Sequence, residues 1–185
     1  EELIFNCLES GSTLRFFIPI ALLYNKKSVF KGTEKLISRG ISIYEEICEK
    51  QKIDVIKTKD SITFIGKLQA DNFEIEGNIS SQFITGLLFA LPLLDEDSCI
   101  NIITELESKN YIDITIDVLK QAGIIIEAKD EKSYYIVGNQ KYQSLNCIVE
   151  GDYSNSAFID AFNYLNGNVM INGLNKESYQ GDKKY

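Results

Sequence analysis

A strand-like run that ends in a polar turn and leads into a serine-started apolar helix occurs three times along this chain. The copies begin at Phe5-Asn6-Cys7-Leu8-Glu9-Ser10-Gly11-Ser12, at Glu74-Ile75-Glu76-Gly77-Asn78-Ile79-Ser80-Ser81, and at Cys147-Ile148-Val149-Glu150-Gly151-Asp152-Tyr153-Ser154. The serines recur about every 70 residues, and a fixed period marks a repeated supersecondary unit. Serine at a helix start places a hydroxyl beside backbone N–H groups that lack helical acceptors. Such a start can hold an anion, so the repeat points to an architecture and to a substrate class together.

The segments between the serines give the unit its order. The first copy reads as strand (4–7), helix (12–24), strand (28–31), helix (41–51) and two strands (53–58 and 61–65) around the turn Lys59-Asp60. The second reads as strand (73–76), helix (81–94), strand (99–104), helix (112–122) and paired strands (124–128 and 133–137). A third begins at Leu145 with one strand, a helix (154–165) and a strand (168–172). The unit is therefore βαβαββ, present in two and a half copies.

Hydrophobic patterning places the layers. The helices over 14–23 and 83–94 are apolar on nearly every face, which predicts burial on all sides. The strands alternate, as in Asp54-Val55-Ile56-Lys57, so one strand face meets water. Helices are expected inside and sheets outside. Pro19 and Pro92 should each remove a backbone hydrogen bond and bend or stop its helix.

Composition narrows the chemistry. The net charge is −8, which argues against nucleic-acid binding through a broad basic surface. No apolar run reaches the roughly 18 residues of a membrane span, so no membrane partner is expected. Histidine is absent, which excludes a Ser-His-Asp triad and a histidine-based metal site within these residues. The four cysteines are widely spaced with no C-x-x-C pair, and a reducing, cytoplasmic setting follows. The opening Glu-Glu suggests an internal fragment. Arginine occurs only at Arg15 and Arg39, both beside helix-start motifs, and its planar fork suits carboxylate and phosphate.

Four phrases in order, Glu9-Ser10-Gly11-Ser12-Thr13-Leu14-Arg15-Phe16, Ile79-Ser80-Ser81-Gln82-Phe83, Glu107-Ser108-Lys109-Asn110-Tyr111-Ile112-Asp113 and Val149-Glu150-Gly151-Asp152, closely resemble successive motifs of the EPSP synthase family. The resemblance implies an inside-out α/β lobe of βαβαββ units, with residues 1–148 as part of the N-terminal lobe and 149–185 as the crossover and start of a C-terminal lobe. It implies a carboxyvinyl transferase that joins phosphoenolpyruvate to the 5-hydroxyl of shikimate 3-phosphate, working as a monomer with no cofactor or metal. Gly11, Arg39 and Gln82 are the implied phosphoenolpyruvate contacts. Ser80, Ser81, Gln82, Ser108 and Tyr111 are those for shikimate 3-phosphate. Ser10, Ser12 and Thr13 are expected to cap, and Arg15 to support. Glu150 and Asp152 are expected to be crossover residues, because the family's proton-transfer carboxylates lie in the C-terminal lobe. No catalytic residue is therefore expected within this chain, which alone should not turn over substrate. Gly40 and Asn110 stand where the family often has proline. A UDP-N-acetylglucosamine enolpyruvyl transferase and a non-catalytic binding module are the competing readings.

Overall fold

The computed structural model describes residues 2–184, and its two sheets follow one plan. In the first, β1 (Leu3–Leu8) runs parallel to β2 (Ser28–Gly32), which pairs antiparallel with β4 (Ser61–Ile65), itself antiparallel to β3 (Asp54–Lys57). In the second, β5 (Asn72–Ile75), β6 (Ser98–Ile102), β8 (Ser133–Ile136) and β7 (Ile126–Ala128) repeat that order and those directions. A parallel pair needs a crossover. Helix α1 (Gly11–Ala21) supplies it in the first unit and α4 (Ser81–Ala90) in the second. The remaining helices are α2 (Glu34–Ser38), α3 (Ser42–Gln51), α5 (Lys109–Gln121) and α6 (Tyr153–Tyr164). The short α2, ended by Arg39 at its C-cap, is an element the sequence reading did not anticipate.

The inside-out arrangement is observed. Every residue of α4 except Gln82 and Phe89 is buried. At about 1.5–3 kcal/mol for each large apolar side chain removed from water, this helix is the centre of the core. Strands β5 and β4 alternate as expected: Phe73 and Ile75 are buried while Asn72 and Glu74 are exposed, and Ile62 and Phe64 are buried on β4, whereas β2 buries Ser28, Val29 and Phe30 in succession and β3 leaves Ile56 exposed and Val55 half-buried. Helix α1 corrects the expectation of burial all round. It buries Leu14, Ile18, Pro19 and Ala21, whereas Phe17 is exposed and Phe16 and Ile20 are half-buried. It packs on β1, β2 and α4, and its remaining side faces solvent.

The two prolines act differently. Pro92 stops α4 at Ala90, and the chain continues as a 3-10 turn over Leu91–Leu93. Pro19 sits inside α1, two residues before its last, Ala21, and α1 continues through it. Having no N–H, it cannot donate to the carbonyl four residues back, that of Arg15.

The third copy departs from its expectation. Helix α6 forms, but neither the stretch after Leu145 nor 168–172 is a strand among the described residues. A strand is completed by a ladder partner. Here the two stretches meet through one backbone bond, Gly151 N to Gly173 O at 2.7 Å, and Ile148 is 98% exposed. The Asn163 side chain instead binds both backbone groups of Val169 at 2.8 Å. The cap of α6 is Asp152, which accepts from Ser154 N at 2.8 Å, so Ser154 lies within the helix and does not start it. Glu150 accepts from Gln180 Nε2 at 2.8 Å and from the Ser178 hydroxyl.

Candidate functional site

Two clusters of the implied residues lie side by side, and Gln82 belongs to both. The first gathers at the start of α1. Ser10 is the N-cap; its Oγ accepts from Thr13 N at 3.1 Å and from the Thr13 hydroxyl at 2.7 Å. Ser12 Oγ lies 3.2 Å from Ser10 Oγ. Ser10 caps as expected, whereas the Ser12 and Thr13 hydroxyls contact the Ser10 hydroxyl and, among the described residues, cap no backbone N–H themselves. Gly11 follows, and the space where its Cβ would stand is bounded by Arg15 Nη1 at 3.5 Å, Gln82 Oε1 at 3.8 Å and Arg39 Nη1 at 3.9 Å. The absent side chain leaves a recess against two guanidinium groups and an amide.

The cations in that recess are uncompensated. Arg15 donates from Nη1 to Gln82 Oε1 at 2.8 Å and lies over the Phe83 ring, 4.9 Å from its centroid. Among the described residues, neither Arg15 nor Arg39 pairs with a carboxylate. Burial and, after it, repulsion from Arg39 hold the Arg15 guanidinium below its ordinary pKa. Arg15 Nε is buried without a hydrogen-bond partner. Arg15 is half-buried and Arg39 exposed, and two like charges brought together with one of them partly desolvated favour an anion beside them. The structure therefore places Arg15 at the centre of the cluster, where the sequence reading had given it a supporting role. The available signal was that both of the chain's arginines flank helix starts.

The second cluster lines a cleft of about 560 Å³ between α4 and α5. Ser80, Ser81, Gln82, Ser108 and Tyr111 all border it. Ser80 caps α4, its Oγ accepting from Gln82 N at 3.3 Å, while Ser81 is buried. Ser108 begins α5 in the left-handed region at φ 59°, and its side chain makes no capping hydrogen bond. Tyr111 is exposed at the cleft edge. Its lining also includes the apolar Phe16, Phe89, Ile114 and Val118, and the buried Thr85 and Thr115 hydroxyls lie 3.0 Å apart. Sequence reasoning missed this threonine pair, because residues 30 positions apart show no local pattern of pairing. The cleft thus combines hydroxyls at two helix starts with apolar side chains. Among the described residues no group of His, Cys, Asp and Glu is placed to hold a metal ion, and no helix is long and apolar enough to cross a membrane.

Comparisons with known proteins bear on the family and the fold. The sequence model of the EPSP synthase (3-phosphoshikimate 1-carboxyvinyltransferase) family matches residues 1–185. The chain belongs to that family. Among curated relatives named 3-phosphoshikimate 1-carboxyvinyltransferase, the protein of Clostridium novyi is 49% identical over 181 residues, which are 96% of this chain and 41% of the relative. That of Clostridium beijerinckii is 47% identical over 187 residues, covering all of this chain and 43% of the relative. That of Brachyspira hyodysenteriae is 45% identical over 184 residues, again all of this chain and 44% of the relative. The chain thus spans less than half the length of the relatives it matches. EPSP synthase from Acinetobacter baumannii has the same fold, with a TM-score of 0.69 over 84% of this chain and 35% of that one, at 18% identity.

Proposed function

We propose that these residues form the binding half of an enolpyruvyl transferase site. The arginine recess takes phosphoenolpyruvate and the serine-lined cleft takes shikimate 3-phosphate. The observation that carries this reading is the pair of guanidinium groups without a carboxylate, converging on the recess at Gly11. A small ligand bearing both carboxylate and phosphate matches two such forks. Arg39 and Arg15 would hold the phosphoenolpyruvate anion, with Gly11 allowing close approach and Gln82 spanning the two ligands. Ser80, Ser81 and Ser108 would hold the phosphate and hydroxyls of the second substrate, with Tyr111 against its ring.

In the reaction the 5-hydroxyl oxygen of shikimate 3-phosphate bonds to C2 of phosphoenolpyruvate. The methylene carbon gains a proton in that step. Loss of phosphate and of a proton from the new methyl group then restores the double bond. The recess and cleft supply orientation and charge stabilisation, the terms that proximity and fixed donors provide. The groups this chain places there are cations, an amide and hydroxyls; we assign them to binding, and expect the isolated polypeptide to bind without turnover. The protein is read as a monomer of the cytoplasm. Its four free cysteines, two of them buried, support a reducing compartment.

The test is an exchange of half-sites. Arg39→Ala should weaken phosphoenolpyruvate binding by about 1.5–3 kcal/mol, the worth of a charged hydrogen bond, and leave shikimate 3-phosphate binding nearly unchanged. Replacing Ser80 and Ser81 together by alanine should do the reverse, at about 0.5–1.5 kcal/mol for each hydroxyl. Chemical-shift mapping by NMR reads both. Equal loss of both ligands in either variant, or shifts centred away from 77–83 and 108–111 with shikimate 3-phosphate, would refute the assignment. Sustained phosphate release by this polypeptide alone would refute the binding-only role.

A further inference from the structure

Tyr44 is fully buried on α3, and its hydroxyl reaches across to the helices that carry the arginine recess. It donates toward two backbone carbonyls, that of Arg15 at 2.7 Å and that of Phe83 at 3.0 Å. These are the carbonyls of the recess arginine itself and of the residue after Gln82. The Arg15 carbonyl is open to such a donor for a local reason. In an uninterrupted helix the N–H of residue 19 would take it, and residue 19 is proline. The helices also cross closely at this point. A Cβ on Gly86 would stand 2.3 Å from the Tyr44 hydroxyl and 2.4 Å from the Arg15 carbonyl oxygen, so glycine is required for the approach. The Tyr44 ring meets Phe83 edge-on, at 5.0 Å and 72°.

We propose that Tyr44 is a positioning residue for the arginine recess: its hydroxyl takes the carbonyl that Pro19 leaves without a helical donor, ties α1 to α4, and thereby holds the Arg15 guanidinium against Gln82. The assignment of phosphoenolpyruvate to the recess is the reading on which its functional side rests. The geometric side stands on the contacts alone. A phenol that only filled core space would not need its oxygen at two backbone carbonyls, and burial alone would favour phenylalanine.

Tyr44→Phe in the full 185-residue chain tests this, because it keeps the ring and removes the tie. Without ligand, the Arg15 Nε–H and Gln82 side-chain amide resonances should move, while backbone amides of the second sheet stay in place. With phosphoenolpyruvate as probe, affinity should fall about five-fold or more, within the range of one lost hydrogen bond. With shikimate 3-phosphate the loss should be clearly smaller, because Gln82 is shared but Ser80, Ser81 and Ser108 do not bond to Arg15. Unmoved Arg15 and Gln82 resonances in a cooperatively folded variant overturn the proposal, as does an equal loss of both ligands. If phosphoenolpyruvate shifts none of Gly11, Arg15 and Arg39 in the parent chain, the recess reading falls, and the ligand-free resonances still decide the role of Tyr44. Should Tyr44→Phe fail to fold, Pro19→Ala serves instead. It restores the helical donor in competition with Tyr44 for the same carbonyl. The same two resonances should then move in the same direction by less, and their failure to move overturns the proposal.

Discussion

The sheet β1-β2-β4-β3 and the sheet β5-β6-β8-β7 are built on the same pattern of one parallel and two antiparallel pairings, yet the helix starts beside them carry different chemistry. After β1 the chain presents Gly11 and Arg15, joined by Arg39 at the end of α2. After β5 it presents Ser80 and Ser81, joined by Ser108 at the start of α5. A repeated backbone therefore fixes where groups stand, while the residues at each helix start set which ligand chemistry they suit. The packing differs too. Helix α4 lies between α1 and α5 and is buried almost throughout, whereas α1 keeps a solvent-facing side.

The packing difference should give the largest effect. Leu88→Ala on α4 removes a fully buried side chain and should cost about 2–5 kcal/mol of unfolding free energy. Ile20→Ala, at a half-buried position of α1, should cost clearly less. Urea denaturation of both variants measures the gap, and equal losses would break the contrast between the two helices.

A smaller effect separates hydroxyls that cap from hydroxyls that do not. Ser10→Ala removes the cap of α1 and should cost about 1 kcal/mol of stability. Ser108→Ala removes no capping bond and should change stability by less than about 0.5 kcal/mol. A comparable loss at Ser108 would mean that its hydroxyl serves the helix rather than the cleft.

The smallest effect lies at the sheet ends. In the second unit Asp97 accepts from the Tyr135 hydroxyl and from Gly138 N at 2.9 Å; the tyrosine bond, then the backbone bond, hold its pKa below the ordinary aspartate range. In the first unit the comparable tie is an ion pair, Lys27 with Glu2 at 2.6 Å, whose hydrogen bond and charge lower the Glu2 pKa. A carboxyl lowered on folding stabilises above its ordinary value, and that contribution is lost as pH falls through the lowered one. Both ends should therefore loosen on acidification, below the ordinary carboxylate range. Only the Glu2 end should also respond to salt, because an exposed ion pair is screened. Amide shifts of Gly138 and Leu3 followed against pH and salt read the two separately. A salt response at Gly138 as large as that at Leu3 would remove the distinction.

Much of the binding surface could be read from local sequence. Ser10 and Ser80 cap the helices that their patterns announced, whereas α5 begins at Lys109, three residues before the expected start at 112, so that Tyr111 lies inside it. The role of Arg15 was only half legible: its place beside a helix start is a local fact, but its approach to Arg39 depends on how α1 and α2 are set against each other. Tyr44 had no local signal, since its partners lie 29 and 39 residues away.

Hydrophobic period, turn residues and helix-start serines are short-range properties, so the chain alone determined the βαβαββ order, the alternating faces of β4 and β5 and the buried character of α4. Tertiary structure decided what depends on contact between distant segments. The approach of α1 to α4 at Gly86 brought a tyrosine hydroxyl to a carbonyl that a proline had left open. It set two guanidinium groups, neither paired with a carboxylate among the described residues, around one recess. It also decided that the stretches after Leu145 and around 168–172 do not become strands, because a strand's N–H and C=O groups are completed by a neighbouring ladder, which patterning alone does not supply.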